Sequence, residues 1–396
     1  MLLQLFCIII LFLLSVVCLY YWFLLFASFS RAKDETIKGN KKITFAIVIP
    51  AHNEEDVIAA TLSSCKGLEY PADKYQIFVV ADNCTDKTAD MARKHDVAVF
   101  ERFDDSNKGK GFALAWAFDR ILQEDFDVIL VVDADCLLDA GTLAELTVVL
   151  AQGDEVIQIN YCVGNPDESP MSYALAVGNF IENELFYAPK SQLGMAVILR
   201  GTGMAIKADV LRKYPWDAHS IVEDIEYSLS LIKANYAIKF LKKVRVISPF
   251  PVTHEQLKVQ RTRWASGNLS FGKKEAFNLI LEGVKNRNMA VADAGWSFLV
   301  LSKPLLLLGL CAAVLVSIAC VFFAPGDFST FLLIFALVVT FLYIAYFVVG
   351  IYRFGLSWRR FFYLMQVPVT VINLMFVSML GLIGFKKDDW ARTPRS

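Results

Sequence analysis

The chain has 396 residues, of which 56% are hydrophobic, only 20% charged, and 31 are Phe. Counting the 21 Gly as well lifts the apolar share well past the roughly 45–50% of ordinary soluble domains, which excludes intrinsic disorder and a wholly soluble protein. A net charge of −1 gives no global basic field of the kind a nucleic-acid binder uses, and the eight Cys form no CxxC pair, which argues for a reducing compartment and against a disulfide framework or zinc knuckle.

Residues 1–30 contain no Asp, Glu, Lys or Arg, and Arg31 and Lys33 follow at once. A cleaved signal has an apolar core of about 7–15 residues behind a basic start. This run is about twice that length and lacks the basic start, so it reads as a retained transmembrane helix. Lys38, Lys41 and Lys42 extend the basic flank, and the positive-inside rule then places the following domain in the cytoplasm.

That domain, about 43–255, alternates in kind. Residues 44–51, 75–82, 97–102 and 127–135 are short and rich in Val, Ile and Phe, which predicts strands. Helical periodicity falls between them at 54–68, 86–95 (capped by Thr85) and 111–122. Alternating strands and helices with continuously apolar strands predict a mostly parallel, Rossmann-like α/β sheet covered on both faces, with ligands at the carboxyl ends of its strands.

Three of those ends are polar: Pro50-Ala51-His52-Asn53-Glu54-Glu55, Asp82-Asn83-Cys84-Thr85-Asp86 and Asp133-Ala134-Asp135. A single Asp after a strand is often a helix cap, and Asp86 has some capping part. Acids gathered on one sheet edge repel one another unless a cation joins them, and Mg²⁺ or Mn²⁺ takes such oxygen ligands and is completed by substrate phosphates. Asn107-Lys108-Gly109-Lys110-Gly111 opens a helix, either as an anion cradle or as a glycine turn with solvated lysines. The spacing is neither a Walker A loop nor a dinucleotide fingerprint.

Arg200-Gly201-Thr202-Gly203-Met204 reads as a glycine-flanked turn between two strands, and Glu223-Asp224 precedes a helix over 227–234. Acids at that position serve either the helix dipole or chemistry. Gln260-Arg261-Thr262-Arg263-Trp264 is either a sugar and diphosphate reader or an interfacial anchor, and it begins an amphipathic stretch to about 297. Beyond 298, residues 304–326 and 328–352 are each long and apolar enough to span, with a tight turn at 324–327. The last apolar stretch, 361–385, carries Gln366, Pro368 and Asn373 and leads into a basic tail. It is either a third span or an interfacial or re-entrant helix, and only the second keeps the tail inside.

Taken in order, I-P-A-H-N-E-E, Asp82, G-K-G, D-A-D, Glu223-Asp224 and Q-R-T-R-W resemble the family 2 glycosyltransferases with a GT-A catalytic domain. The resemblance is to the membrane-bound branch of cellulose, hyaluronan, chitin-oligosaccharide and poly-N-acetylglucosamine synthases. It implies that Pro50, His52, Glu54 and Asp82 line a nucleotide pocket, with Asp82 reading uracil. It implies Lys110 at the phosphates, Asp133 and Asp135 on the nucleotide sugar, and Asp135 on Mg²⁺ or Mn²⁺. Asp224 would be the base of an inverting displacement. Gly201, Thr202, Glu223, Arg261, Arg263 and Trp264 would serve acceptor and diphosphate, and the tail from Trp390 to Arg395 resembles a W-x-x-T-x-R segment lying over the nucleotide. The chain departs from the polymerising members at Val222, at Arg261 and in the Gly201–Gly203 loop.

The implied protein is a multi-pass enzyme of the bacterial inner membrane, acting in surface polysaccharide synthesis beside other assembly proteins. It would move a sugar from a UDP-sugar to a lipid-linked or oligosaccharide acceptor. The other readings are a processive synthase, a non-catalytic GT-A scaffold and a nucleotidyltransferase.

Overall fold

The computed structural model describes residues 2–30, 43–253, 256–257, 275–300 and 303–382. The basic flank at 31–42, Arg261, Arg263 and Trp264, and the tail at 386–395 lie outside the described residues.

Eight strands form one sheet: β1 (Phe45–Ala51), β2 (Tyr75–Asp82), β3 (Ala98–Arg102), β4 (Val128–Val131), β5 (Leu137–Leu138), β6 (Val156–Val163), β7 (Met204–Lys207) and β8 (Ile238–Ser248). Their order is β3-β2-β1-β4-β7-β6-β8-β5. The four N-terminal strands pair in parallel, as the alternation predicts. β7 then enters antiparallel to both β4 and β6, while β6 and β8 are parallel, so the second half of the sheet is mixed.

Strand side chains alternate between faces, and a strand apolar throughout therefore serves two cores. Ala46 and Val48 of β1 pack with Leu114 and Phe118 of the helix Lys110–Ile121, whereas Phe45, Ile47 and Ile49 pack with Ile58, Leu62 and Leu143 on the other face. Each fully buried aliphatic side chain contributes roughly 1.5–3 kcal/mol.

Three helices are long and apolar enough to cross a membrane, spanning Leu3–Ala27, Lys303–Phe323 and Asp327–Phe354. They are not separate from the sheet domain. Tyr21, Leu24 and Leu25 of the first and Tyr343 and Tyr346 of the third belong to the same core as Ala46 and Val48. At Gly350 the approach is so close that a Cβ would lie 2.4 Å from Ile181 Cγ1 in the helix Pro170–Glu182. Lys190, fully buried, places Nζ 2.9 Å from Asp293 Oδ2, and Asp293 Oδ1 accepts from the Tyr20 hydroxyl at 2.7 Å.

Several boundaries differ from the sequence reading, each for a local reason. The first helix after β1 begins at Ile58, because the Glu54 N–H donates to Thr88 Oγ1 at 2.7 Å and holds 54–57 as a turn. Thr85 is not a cap: the next helix is Thr88–Arg93, and Asp86 Oδ1 accepts its first N–H at 2.9 Å. β4 ends at Val131, since the Asp133 N–H turns to Thr202 Oγ1 at 3.1 Å. The segment before Gly201 forms no strand, so the turn there opens β7 without closing one. The stretch 361–385 is not one straight helix. Trp358–Leu364 and Val367–Leu382 are separate, with Pro368 in the first turn of the second. Arg360 ties the first to the sheet domain by a two-pronged bond to Asp167, at 2.7 and 2.9 Å.

Candidate active site

Strand order alone brings the polar ends together, because β1 lies between β2 and β4. At the β4 side, Lys110 stands in the first turn of its helix and extends Nζ to Asp133 Oδ1 and, at 2.8 Å, to the Gly201 carbonyl. Glu223 Oε1 is 3.9 Å away, and Glu223 and Asp224 open the helix Glu223–Lys233. Gly201 makes the floor. Its φ of +78° favours glycine, and a Cβ there would point at Lys110 Nζ (3.4 Å) and Asp224 Oδ2 (3.5 Å). Thr202 is buried and anchors the Asp133 N–H.

Gly111 has a packing role. A Cβ on it would come within 2.2 Å of the Ala218 carbonyl oxygen. This contact seats the segment leading to Glu223 against the lysine-bearing helix, and the Phe112 and His219 rings stack beside it at 4.2 Å. The G-K-G run thus places Lys110 and the acidic pair together through backbone contact.

The electrostatics follow from this crowding. Burial raises Asp224 to about 6, with Lys110 opposing the rise. Glu223 is raised further, to about 8, by burial and then by the charge of Asp224. For Lys110 burial would lower the pKa, but Asp133 and Glu223 outweigh it and the net shift is upward. Near neutral pH the pair therefore shares about one negative charge beside a fixed ammonium.

At the β2 side, His52 Nδ1 lies 2.7 Å from the Asp82 carbonyl, while Asp82 itself is buried against Arg102 at 2.6 Å. Arg102 also donates to Asp104 Oδ2 and to the Asn107 carbonyl, both at 2.8 Å, and Asn83 Oδ1 accepts the Asp104 N–H at 2.9 Å. Pro50 is buried within β1, opposite Val80, and Glu54 sits in the turn that follows.

The structure thus brings Lys110, Asp133, Gly201, Thr202, Glu223 and Asp224 into one cluster, and His52 and Asp82 into a neighbouring one. Sequence reading missed Arg102, whose only signal was a basic residue ending a strand just before two acids. It also gave no role to Arg200, which bonds Asn183 Oδ1 and lies 3.7 Å from Glu182. Lys303, at the start of the second apolar helix, is also 3.7 Å from Glu182.

No group of three or more His, Cys, Asp or Glu side chains forms a self-sufficient metal site among the described residues. Asp133 and Asp135 are partly exposed oxygen donors at a strand end. That donor set fits a hard divalent cation completed by substrate phosphates, and does not fit a closed zinc-type site.

This sheet order, with acids at the β2 and β4 ends, is that of a GT-A domain, here built onto membrane-length helices. The solved mannosyltransferase from Pyrobaculum calidifontis, in complex with GDP-Man and Mn²⁺, has the same fold. Its TM-score is 0.61 at 17% identity, covering 95% of this chain and 99% of that one. The chain belongs to the glycosyltransferase-like family 2, whose model matches residues 42–267. It is 29% identical over 248 residues to the beta-monoglucosyldiacylglycerol synthase of Nostoc sp., covering 60% of this chain and 51% of that protein. To the poly-beta-1,6-N-acetyl-D-glucosamine synthase of Staphylococcus epidermidis it is 26% identical over 258 residues, 63% of this chain and 60% of the other. The match thus spans little more than half the length of these curated relatives.

Proposed function

We propose that the protein is an inverting, metal-dependent glycosyltransferase of the bacterial inner membrane. It moves a hexose from a UDP-sugar to a lipid-linked or growing saccharide acceptor in surface polysaccharide synthesis. The observation that carries the reading is the placement of Asp224: a carboxylate in the first turn of the helix Glu223–Lys233, facing the floor made by Gly201 and within the field of Lys110, with burial raising its pKa.

In this reading Asp224 takes the proton from the acceptor hydroxyl, whose oxygen attacks the anomeric carbon as the nucleoside diphosphate leaves from the opposite face. Such positioned base catalysis supplies about 10²–10⁴-fold. No covalent nucleophile is needed, and inversion follows from one displacement. Lys110 turns from Asp133 to the diphosphate, and Glu223, holding its proton, keeps a second negative charge off the acceptor side. Asp133 and Asp135 would hold the nucleotide sugar, with Asp135 on Mg²⁺ or Mn²⁺, which when bound neutralises the departing diphosphate. Arg261, Arg263 and Trp264 would close over diphosphate and acceptor.

Single addition fits the departures at Val222, Arg261 and Gly201–Gly203 and the three membrane-length helices found among the described residues. The test uses full-length protein in nanodiscs with Mn²⁺ or Mg²⁺, a nucleotide-sugar panel and a lipid extract. Metal-dependent UDP release from one donor, reduced at least about 10²-fold in Asp224→Asn, is expected. Equal release by both proteins removes Asp224 as the base, and a ladder of oligomers rules out single addition.

A further inference from the structure

A second charged cluster stands between the Asp224 side of the site and the membrane-length helices. Arg200 directly precedes Gly201, and its guanidinium bonds Asn183 Oδ1 and lies 5.5 Å from the centre of the Tyr187 ring. Asn183 and Tyr187 are the two ends of a π-helical turn, a rare shape that is frequent at functional sites. Tyr187 links the cluster to Asp224, because its hydroxyl lies in the field of both Glu182 and Asp224. Glu182, the residue before the turn, faces a cation with each of its oxygens: Oε1 is 3.7 Å from Arg200 Nη2, and Oε2 is 3.7 Å from Lys303 Nζ. Lys303 is the first residue of the membrane-length helix Lys303–Phe323.

Two cations thus share one carboxylate, and the three side chains together carry one positive charge. A staple between helix and sheet domain needs only one cation per acid, as Lys190 and Asp293 show at the same junction. A surplus cation taken partly out of water is unfavourable until an anion joins it. The cluster is open to such an anion, since Arg200, Glu182 and Lys303 keep 16%, 24% and 14% of their side-chain surface exposed. Basic groups where a membrane helix begins attract anionic lipid headgroups, and a guanidinium and an ammonium are the usual pair of phosphate donors. A neutral glyceride offers only hydroxyl and ester oxygens, which leave the surplus charge uncompensated.

We propose that Arg200 and Lys303 seat the phosphate of an anionic lipid acceptor, with Glu182 as the counter-ion that shares them until the lipid arrives. Lys303 meets the phosphate at the membrane boundary. Arg200 holds it from the side of Gly201, so that a hydroxyl further along the headgroup reaches Asp224. The inference rests on the proposed transferase function and narrows its acceptor to a phosphate-bearing lipid.

The experiment titrates dioctanoyl phosphatidic acid, farnesyl phosphate and dioctanoylglycerol into the full-length protein in an uncharged detergent, by calorimetry, for wild type, Lys303→Gln and Glu182→Gln. UDP binding with Mn²⁺ and thermal unfolding are recorded alongside. Wild type should bind at least one phosphate lipid about tenfold or more tightly than the neutral glyceride, the size expected for one hydrogen bond between charged groups. The tighter of the two phosphates names the kind of chain that carries it. Lys303→Gln should bind that lipid about tenfold more weakly with UDP affinity unchanged. Glu182→Gln, which removes the acid competing for both cations, should bind it about threefold or more tightly. Opposite signs from two neighbouring variants do not arise from a general loosening of the junction. Wild type with no preference for either phosphate lipid overturns the proposal whether or not the variants fold. So does a folded Lys303→Gln of wild-type lipid affinity, or a folded Glu182→Gln that binds more weakly. Wild type that binds UDP but none of the lipids also overturns it and leaves the transferase reading standing, whereas wild type that binds no UDP overturns that reading instead.

Discussion

At the residue scale the site is governed by one lysine among three carboxylates. As the proposed base, Asp224 would have to be ionised, and burial raises its pKa to about 6, so under that proposal kcat/KM should climb with pH through about 6. Lys110 opposes that rise, so Lys110→Met should move the acid limb to higher pH as well as lower the rate, which a pH–rate profile of both proteins checks. Glu223 makes a separate prediction about stability. Its pKa is about 8 in the folded protein against an ordinary 4.5, so between those values the folded state holds a proton that the unfolded chain has released. Stability is then fully present below about 4.5 and falls as pH rises toward 8. Glu223→Gln should flatten that fall and raise Tm at pH 8 by about 1–2 °C, corresponding to about 1 kcal/mol for a chain of this size, as read by thermal unfolding across the pH series.

At the element scale the glycines of the two loops decide where the acids stand. Gly111 lets the helix Lys110–Ile121 press against the Ala218 carbonyl, and this contact fixes the start of the helix bearing Glu223 and Asp224. Gly111→Ala cannot be relieved by a side-chain rotation, because the atom it meets is backbone. It should cost about 1–3 kcal/mol and, if Asp224 is the base as proposed, lower kcat through its displacement while UDP binding changes little. Comparing Kd for UDP with kcat in that variant checks the separation.

For the whole molecule, the notable property is that one hydrophobic core serves the catalytic domain and the membrane-length helices together. Lys190, Asp293 and Tyr20 fasten that junction with a buried ion pair, in which burial lowers the lysine pKa and Asp293 holds it up. Lys190→Met leaves the Asp293 carboxylate buried without its cation and should destabilise by about 3–5 kcal/mol. Adding Asp293→Leu should recover most of that loss. Denaturation of the three proteins in detergent measures it, and a Lys190→Met variant as stable as wild type would show that the junction does not depend on the pair.

Much of this was legible in the chain. Continuously apolar strands could only be buried on both faces, charge-free runs of sufficient length predicted membrane-length helices, and acids after strands fell at a sheet edge because parallel strands end together. The antiparallel entry of β7 was not legible, because direction leaves no trace in composition. Neither was the role of Gly111, since a close approach depends on a backbone over a hundred residues away. Arg102 looked like the last residue of an edge strand until β2 and β3 were paired and its guanidinium met Asp82. The kinds of chemistry available were written in local residue types and spacing. Which carboxylate is buried, which is paired and which is left open were decided only by tertiary structure, because those depend on neighbours far apart in sequence.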